Sequence, residues 1–204
     1  RLGGEAFRAK LEGDEILRYT LSGTMKNLVT PQIVAPYTEE EAARFAIDYS
    51  VLEQYLGFFA GCEILVADPG AEIDLLAMTG RFDLIREYIT FLRSRFDTVI
   101  TSVHHAGVTI PLLETAGIEV DAYLTPVNRP GYYMFPTKEL ALDAIRNARK
   151  PIIAIKPLAG GRDLGTAAFD HVYNSVGVAS TLYGMGSAAQ VRETTAAACT
   201  VLAA

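Results

Sequence analysis

From Cys62 onward the sequence repeats one arrangement: a short apolar run, a corner rich in glycine and proline, an amphipathic stretch, then another apolar run. Parallel strands need a crossover of a dozen or more residues, usually a helix, so this alternation predicts a sheet of parallel strands joined by helices. The apolar runs are 64–67, 99–103, 120–124, 152–155 and 178–183. Most are β-branched and nearly continuous, as suits strands covered on both faces. Their starts lie on average about 28 residues apart, close to the roughly 31 per unit of an eight-unit barrel.

The stretches between them carry helical stripes. Phe82, Ile85, Ile89, Leu92 and Phe96 step by three and four and so share one face. Val191, Thr195, Ala198 and Leu202 repeat the pattern in the last segment, which is expected to close the barrel. Upstream, Thr38 followed by Glu41 reads as a capping box opening a helix that carries Ala42, Phe45, Tyr49, Leu52, Leu56 and Phe59 on one side.

The expected architecture is α/β, a TIM (β/α)8 barrel. A doubly wound open sheet would accommodate five such units equally well. Two features favour the barrel: no glycine-rich dinucleotide fingerprint follows an early strand, and every apolar run ends in a polar corner. Those corners are Asp68-Pro69-Gly70, His104-His105-Ala106-Gly107, Pro126-Val127-Asn128, Lys156-Pro157-Leu158 and Gly184-Met185-Gly186-Ser187. Parallel strands bring all five to one end, where barrel enzymes keep their chemistry. The 204 residues read as one domain, an irregular and helical region over 1–60 and five β/α units over 61–204. The first region holds at most one further strand, around 31–35, and 3–25 reads as a connection near the barrel mouth. The barrel is therefore expected to be incomplete, a fragment lacking two or three N-terminal strands.

Acidic and basic residues are interspersed at a net charge of -6, which gives no electrostatic footprint for nucleic acid. No apolar run reaches the ~20 residues of a membrane helix, and no cleavable signal is visible, so a cytoplasmic protein with a small-molecule ligand is expected. Cys62 and Cys199 are too few and too far apart for a disulfide framework or a metal knuckle, and read as small buried hydrophobes. Oligomeric state is not legible at this stage.

The corners supply the candidate chemistry. Lys156 ends an apolar strand, where a desolvated amine can act as phosphate partner, Schiff-base nucleophile or proton carrier. His104 and His105 are neighbours in a strand and must point oppositely, so one faces the barrel axis; either ring suits acid/base work. Asp68 is the carboxylate nearest these groups in the repeat, and with Glu72 could complete a metal site, although the spacing matches no metal signature and none is expected. His171, on a predicted helix, reads as a surface or packing residue. Asn128 could orient a carbonyl or close a turn, and Tyr132, Tyr133 and Phe135 could wall a ligand or pack their own loop. Ser187, an N-cap with Gln190 three residues on, follows Gly184 and Gly186 at the start of a helix, a corner suited to phosphate or to an ordinary capped turn.

With these corners in hand, 62–198 resembles the second half of the aldo-keto reductases, especially their bacterial and archaeal branches. The resemblance lies in Thr101-Ser102-Val103-His104-His105, in Val120 to Asn128, in 155–161, and in Gly184-Met185-Gly186-Ser187 followed by Gln190-Val191-Arg192-Glu193. It implies a barrel binding NADP(H) without a Rossmann fold. Pro157, Leu158 and Gly160 would flank the pyrophosphate, with Ser187, Gln190, Arg192 and Glu193 at the adenosine end. The family's Glu-Asn pair reads Glu193-Thr194 here, Ala67-Asp68-Pro69 stands where its catalytic His would fall, and its Asp, Tyr and Lys belong to strands upstream. The resemblance implies an NAD(P)H-dependent oxidoreductase acting on a small carbonyl compound. The residues alone permit a lyase or aldolase acting through Lys156 on a phosphorylated or carboxylated metabolite, with His104 or His105 as acid/base, or a non-catalytic ligand-binding barrel. In these readings Lys156, His104, His105 and Asp68 are the catalytic candidates, and Asn128 and Tyr132 the substrate-binding ones.

Overall fold

The computed structural model describes residues 37–203; the strand expected around 31–35 and the connection expected over 3–25 lie outside them. Two helices open the described chain, α1 (Glu39–Ala42) and α2 (Tyr49–Gly57). Next come α3 (Glu72–Met78), α4 (Phe82–Arg93), β1 (Thr101–Ser102), α5 (Ala106–Thr115), β2 (Tyr123–Pro126) and α6 (Lys138–Asn147). The chain continues through β3 (Ile152–Ile155), α7 (Thr166–Asp170), a π-helical turn (His171–Val176), β4 (Ser180–Leu182) and α8 (Ala188–Leu202).

The four strands form one parallel sheet in the order β1-β2-β3-β4. Side chains alternate across a strand, and the burial follows: Thr101, Tyr123, Thr125, Ile152, Ala154 and Thr181 point into the helical layer and are buried, while Ile153, Ile155 and Leu182 on the opposite face are half-buried or exposed. The fold is thus mixed α/β with a parallel sheet, as the alternation of apolar runs predicts.

The sheet falls short of one expected strand. Of the run 64–67 only Ala67 pairs, through a single parallel bridge to Val99, and Ile64, Leu65 and Val66 are exposed. An apolar run becomes a strand only where a neighbour takes up its amides and carbonyls, and among the described residues no second neighbour lies beside this one.

The first expected helix is also corrected. Thr38 and Glu41 do form the reciprocal capping box, but α1 ends after one turn and a new helix begins at Asp48, whose carboxylate accepts the amides of Ser50 and Val51. Arg81 holds the break open by donating to the carbonyls of Ala42 (2.5 Å) and Phe45 (3.2 Å). An aspartate at an N-cap position offers the backbone an alternative to continuing the preceding helix.

Helix α4 buries Leu84, Ile85, Ile89 and Leu92, with Phe82 and Phe96 packed at the margin, as its spacing predicts. In α8 the expected stripe is displaced. Ala198 is buried, but Val191 is 43% and Leu202 63% exposed, and the packed face runs through Ala197, Ala198 and Val201. The two cysteines are likewise exposed, not buried: Cys199 lies outside this packed face, and Cys62 precedes the strand that does not form.

Helices α5 and α6 meet at Gly107, where a Cβ would lie 2.9 Å from the backbone of Leu140 and 2.9 Å from the ring of Pro136. Only a residue without a side chain permits that approach. The Phe135–Pro136 peptide bond preceding α6 is cis.

Candidate functional site

Because the strands are parallel, their C-terminal ends share one side of the sheet. The corners there are joined by direct contacts. Asp68 accepts the Ser102 amide at 3.0 Å and a short hydrogen bond from the Ser102 hydroxyl, which docks the corner after 64–67 onto β1. Asn128 is wholly buried: its amide nitrogen donates to the carbonyls of Tyr132 (2.8 Å) and Lys156 (3.2 Å), and its oxygen accepts the Tyr132 amide (2.7 Å). The amide is therefore engaged by backbone, fixing the corner after β2 against the corner after β3.

Lys156 follows β3 in a left-handed conformation, φ 56°, unusual for a residue with a side chain. Three further left-handed residues, Ala159, Gly160 and Gly161, follow within five positions, and the carbonyl of Leu158 gathers the amides of Gly161, Arg162 and Asp163. The turn so wound projects the Lys156 amine over the ring of Tyr133, 5.3 Å from its centroid. Among the described residues no carboxylate stands within ion-pair distance of it, and burial pushes the amine below its ordinary 10.5.

The histidine pair lies beyond β1, which ends at Ser102, with His105 at the N-cap of α5, so the turn and not strand alternation sends the two side chains apart. His104 is the ring near the shared mouth. Burial pushes it below its ordinary 6.5, Asp74 and Asp68 oppose that shift, and Lys156 adds to it, so the ring is neutral at pH 7. His105 turns into the core, 2% exposed, stacked on Phe135 with centroids 5.0 Å apart, and neither ring nitrogen has a hydrogen-bond partner among the described residues. Tyr132, Tyr133 and Phe135 continue this stack edge to face, and Arg162 covers the Tyr132 ring at 4.3 Å. His171 sits in the π-helical turn.

Asp74 belongs to the same assembly and was not expected. It is a buried carboxylate on α3 that accepts the amide of His104 (2.6 Å), the amide of His105 (3.3 Å) and the hydroxyl of Thr109 (2.5 Å). Burial acts to raise its pKa, but the nearby His105 imidazole, Thr109 and the His104 amide outweigh that and hold it below 3.8. Its signal was present: an acid embedded among Ile73, Leu75 and Leu76, on a helix too short to have a polar side. Arg129 and Asp163 form a second tie, a bidentate pair at 3.0 and 2.5 Å between the corners after β2 and β3.

The last corner stands apart from these contacts. Ser187 caps α8 by accepting the Gln190 amide at 3.2 Å, and the Gln190 side chain accepts the Gly186 amide at 2.7 Å. Gly184, Gly186, Ser187, Gln190, Arg192 and Glu193 are all exposed. Pro157 is buried, Leu158 half-buried and Gly160 exposed.

A cavity of about 680 Å³ opens beside the mouth, between α2, the 62–69 segment and α4. Its walls are apolar apart from Asp68, Glu72, Tyr55 and Tyr88; burial and the two carboxylates push the Tyr88 hydroxyl up to about 12. Among the described residues no three His, Cys, Asp or Glu side chains converge as metal ligands, and no helix is long and apolar enough to cross a membrane. No protein-family model, curated protein or solved structure matches the chain.

Proposed function

We propose that the parallel sheet is an arc of a (β/α)8 barrel and that its mouth is the active site of a lyase- or aldolase-type enzyme, with Lys156 as amine nucleophile and His104 as proton carrier. The observation that carries this reading is the state of Lys156: an amine half-removed from water, with no carboxylate partner among the described residues, on a left-handed backbone, beside a neutral imidazole. A lowered pKa leaves a larger fraction of the amine uncharged, and the uncharged amine is the nucleophile.

The chemistry follows from those two groups. The Lys156 lone pair adds to a substrate carbonyl carbon. The carbonyl oxygen leaves as water, carrying one proton from the amine and one delivered through His104, while the nitrogen keeps its remaining proton as an iminium. The iminium then draws electrons from the adjacent carbon, and neutral His104 is placed to take a proton there. A phosphorylated or carboxylated metabolite fits a mouth that also holds Arg162. Tyr133 gives the amine an aromatic wall that tolerates the charged and the neutral form.

Sodium borohydride added in the presence of candidate aldehydes and ketones tests this. The expected product is a reduced adduct on Lys156, found by peptide mass, and an unmodified Lys156 with every carbonyl compound removes the reading.

A second reading is favoured by one observation: the exposed Gly184–Ser187 corner at the N-terminus of α8, the longest helix among the described residues, where helix dipole and glycine backbone suit an anion. In it, NADP(H) lies along the last two corners, held by Gly160, Ser187, Gln190, Arg192 and Glu193, and supplies a hydride to a small carbonyl compound. The donor set is compatible in part, since the Gly186 amide is already taken by Gln190. Titration with NADPH followed by its fluorescence distinguishes this reading, and unchanged fluorescence excludes it.

A further inference from the structure

Two cations of the turn after β3, Lys156 and Arg162, have no carboxylate within ion-pair distance among the described residues. The acid next to Arg162 in sequence, Asp163, is engaged elsewhere: its two oxygens take the Nε and Nη2 edge of Arg129, at 3.0 and 2.5 Å. Arg162 itself donates from Nη1 to the carbonyl of Ala159 at 3.1 Å, and its own Nε and Nη2 edge has no acceptor among the described residues. The side chain is exposed yet held in place. Its guanidinium lies 4.3 Å over the Tyr132 ring, and the buried amide of Asn128 fixes both the N–H and the carbonyl of Tyr132. This seat exists because residue 160 is glycine. A Cβ there would stand 2.9 Å from Nη1 and 3.4 Å from the Tyr132 ring, and the φ of 65° favours glycine as well. A guanidinium already stacked on an aromatic ring loses less freedom when it takes a ligand.

We propose that Arg162 anchors a carboxylate on the substrate, so that the compound whose carbonyl meets Lys156 is an oxo acid. The two cations flank one aromatic unit: the Lys156 amine lies over Tyr133, Arg162 over Tyr132, and the two ring centroids are 4.6 Å apart. A carbonyl at the amine and an anion at the guanidinium therefore lie along the same wall. The backbone favours carboxylate over phosphate. A phosphate site is ordinarily built from several free amides. In this turn the Leu158 carbonyl takes the amides of Gly161, Arg162 and Asp163, and the Lys156 carbonyl takes that of Ala159. The largest donor left is the planar guanidinium fork, which matches the two oxygens of a carboxylate. Arg129 and Asp163 make that same pairing at the end of the turn. The assignment rests on the reading of this mouth as the active site, but anion binding at Arg162 requires no chemistry at Lys156.

Proton–nitrogen NMR of the arginine Nε–H groups of the full 204-residue chain is the test, with sodium acetate and sodium phosphate as probes at equal ionic strength. The Arg162 signal, assigned by its loss in Arg162→Lys, is expected to shift saturably with acetate, and at lower concentration than with phosphate, while that of Arg129 stays in place. The absence of a saturable shift at Arg162 overturns the proposal, as does tighter binding of phosphate or an equal response at Arg129. Borohydride trapping gives a second readout with butanal and succinic semialdehyde, which carry a methyl and a carboxylate respectively at the far end. The acid is expected to label Lys156 half-maximally at about one-tenth the concentration of butanal. Arg162→Lys keeps the charge but loses the fork, and should bring the two concentrations close together. Equal concentrations in the unaltered protein overturn the proposal, as does a preference that survives Arg162→Lys. Labelling by neither compound removes the amine chemistry, and the NMR titration then still upholds or overturns the anchor.

Discussion

The side-chain amide of Asn128 donates to the carbonyl of Lys156 across 3.2 Å, so the corner after β2 sets the backbone from which the Lys156 amine projects. The same buried amide holds both backbone groups of Tyr132. Asn128→Ala removes three hydrogen bonds at once and leaves buried backbone groups without partners. The expected loss is about 3 kcal/mol of unfolding free energy, read from urea denaturation. Asn128→Asp keeps the bond from the Tyr132 amide and loses both donated bonds, and should destabilise as well.

Asp74 makes stability depend on acid. Its folded pKa lies below the 3.8 of the free side chain, so its contribution is present above that value and fades as pH falls through the folded one. Asp74→Asn should flatten the stability profile below about pH 4. Asp74→Ala should cost about 3 kcal/mol at pH 7, because the amide of His104 and the hydroxyl of Thr109 lose their acceptor inside the protein. Urea midpoints measured between acid and neutral pH check both. If the profile of Asp74→Asn matches that of the unaltered protein, the carboxylate is not the group responsible.

For His104 the sign is the same, in a higher pH window. Burial lowers its folded pKa below 6.5, so on acidification the unfolded chain takes up the proton first. Stability from the neutral ring is complete above about pH 6.5 and declines as pH falls toward the folded value. The Hε1 resonance followed by NMR should titrate below 6.5, and His104→Gln should remove this part of the pH dependence.

The parallel strands and their polar corners were legible from period and composition, because crossover helices force that alternation. The run 152–155 is the β3 strand itself, and the spacing in α4 identifies its buried face. The runs around β1, β2 and β4 were longer than or offset from the strands, since apolar content marks burial while pairing depends on the neighbour's register. Local pattern could not show that Ile64 to Val66 lack a partner, nor that Asp48 starts a helix of its own. Which histidine faces the mouth could not come from strand alternation, because β1 ends at Ser102 and His105 caps α5; the turn between them is held by Asp74, some thirty residues away, which accepts the amides of both histidines. The cysteines illustrate the same gap, because burial of a small side chain depends on what covers it. Both Cys62 and Cys199 should react with a thiol reagent in the native protein, and protection of either until unfolding would contradict their exposure.

The left-handed turn at Lys156 predicts an asymmetry between substitutions. Such a φ costs a residue with a side chain about 1–2 kcal/mol, which glycine does not pay. Lys156→Gly should leave the urea midpoint nearly unchanged while abolishing adduct formation, whereas Lys156→Val should lower stability by about 2 kcal/mol because a β-branched side chain resists this conformation. Equal midpoints for the two variants would argue against a left-handed backbone at this position.

The account depends most on the desolvated amine of Lys156. Reductive methylation with ¹³C-formaldehyde and NMR titration of the dimethylamine resonances, assigned with Lys156→Met, compares Lys156 with the remaining lysines in one sample. The account predicts that Lys156 titrates below those lysines; a midpoint equal to or above theirs contradicts it.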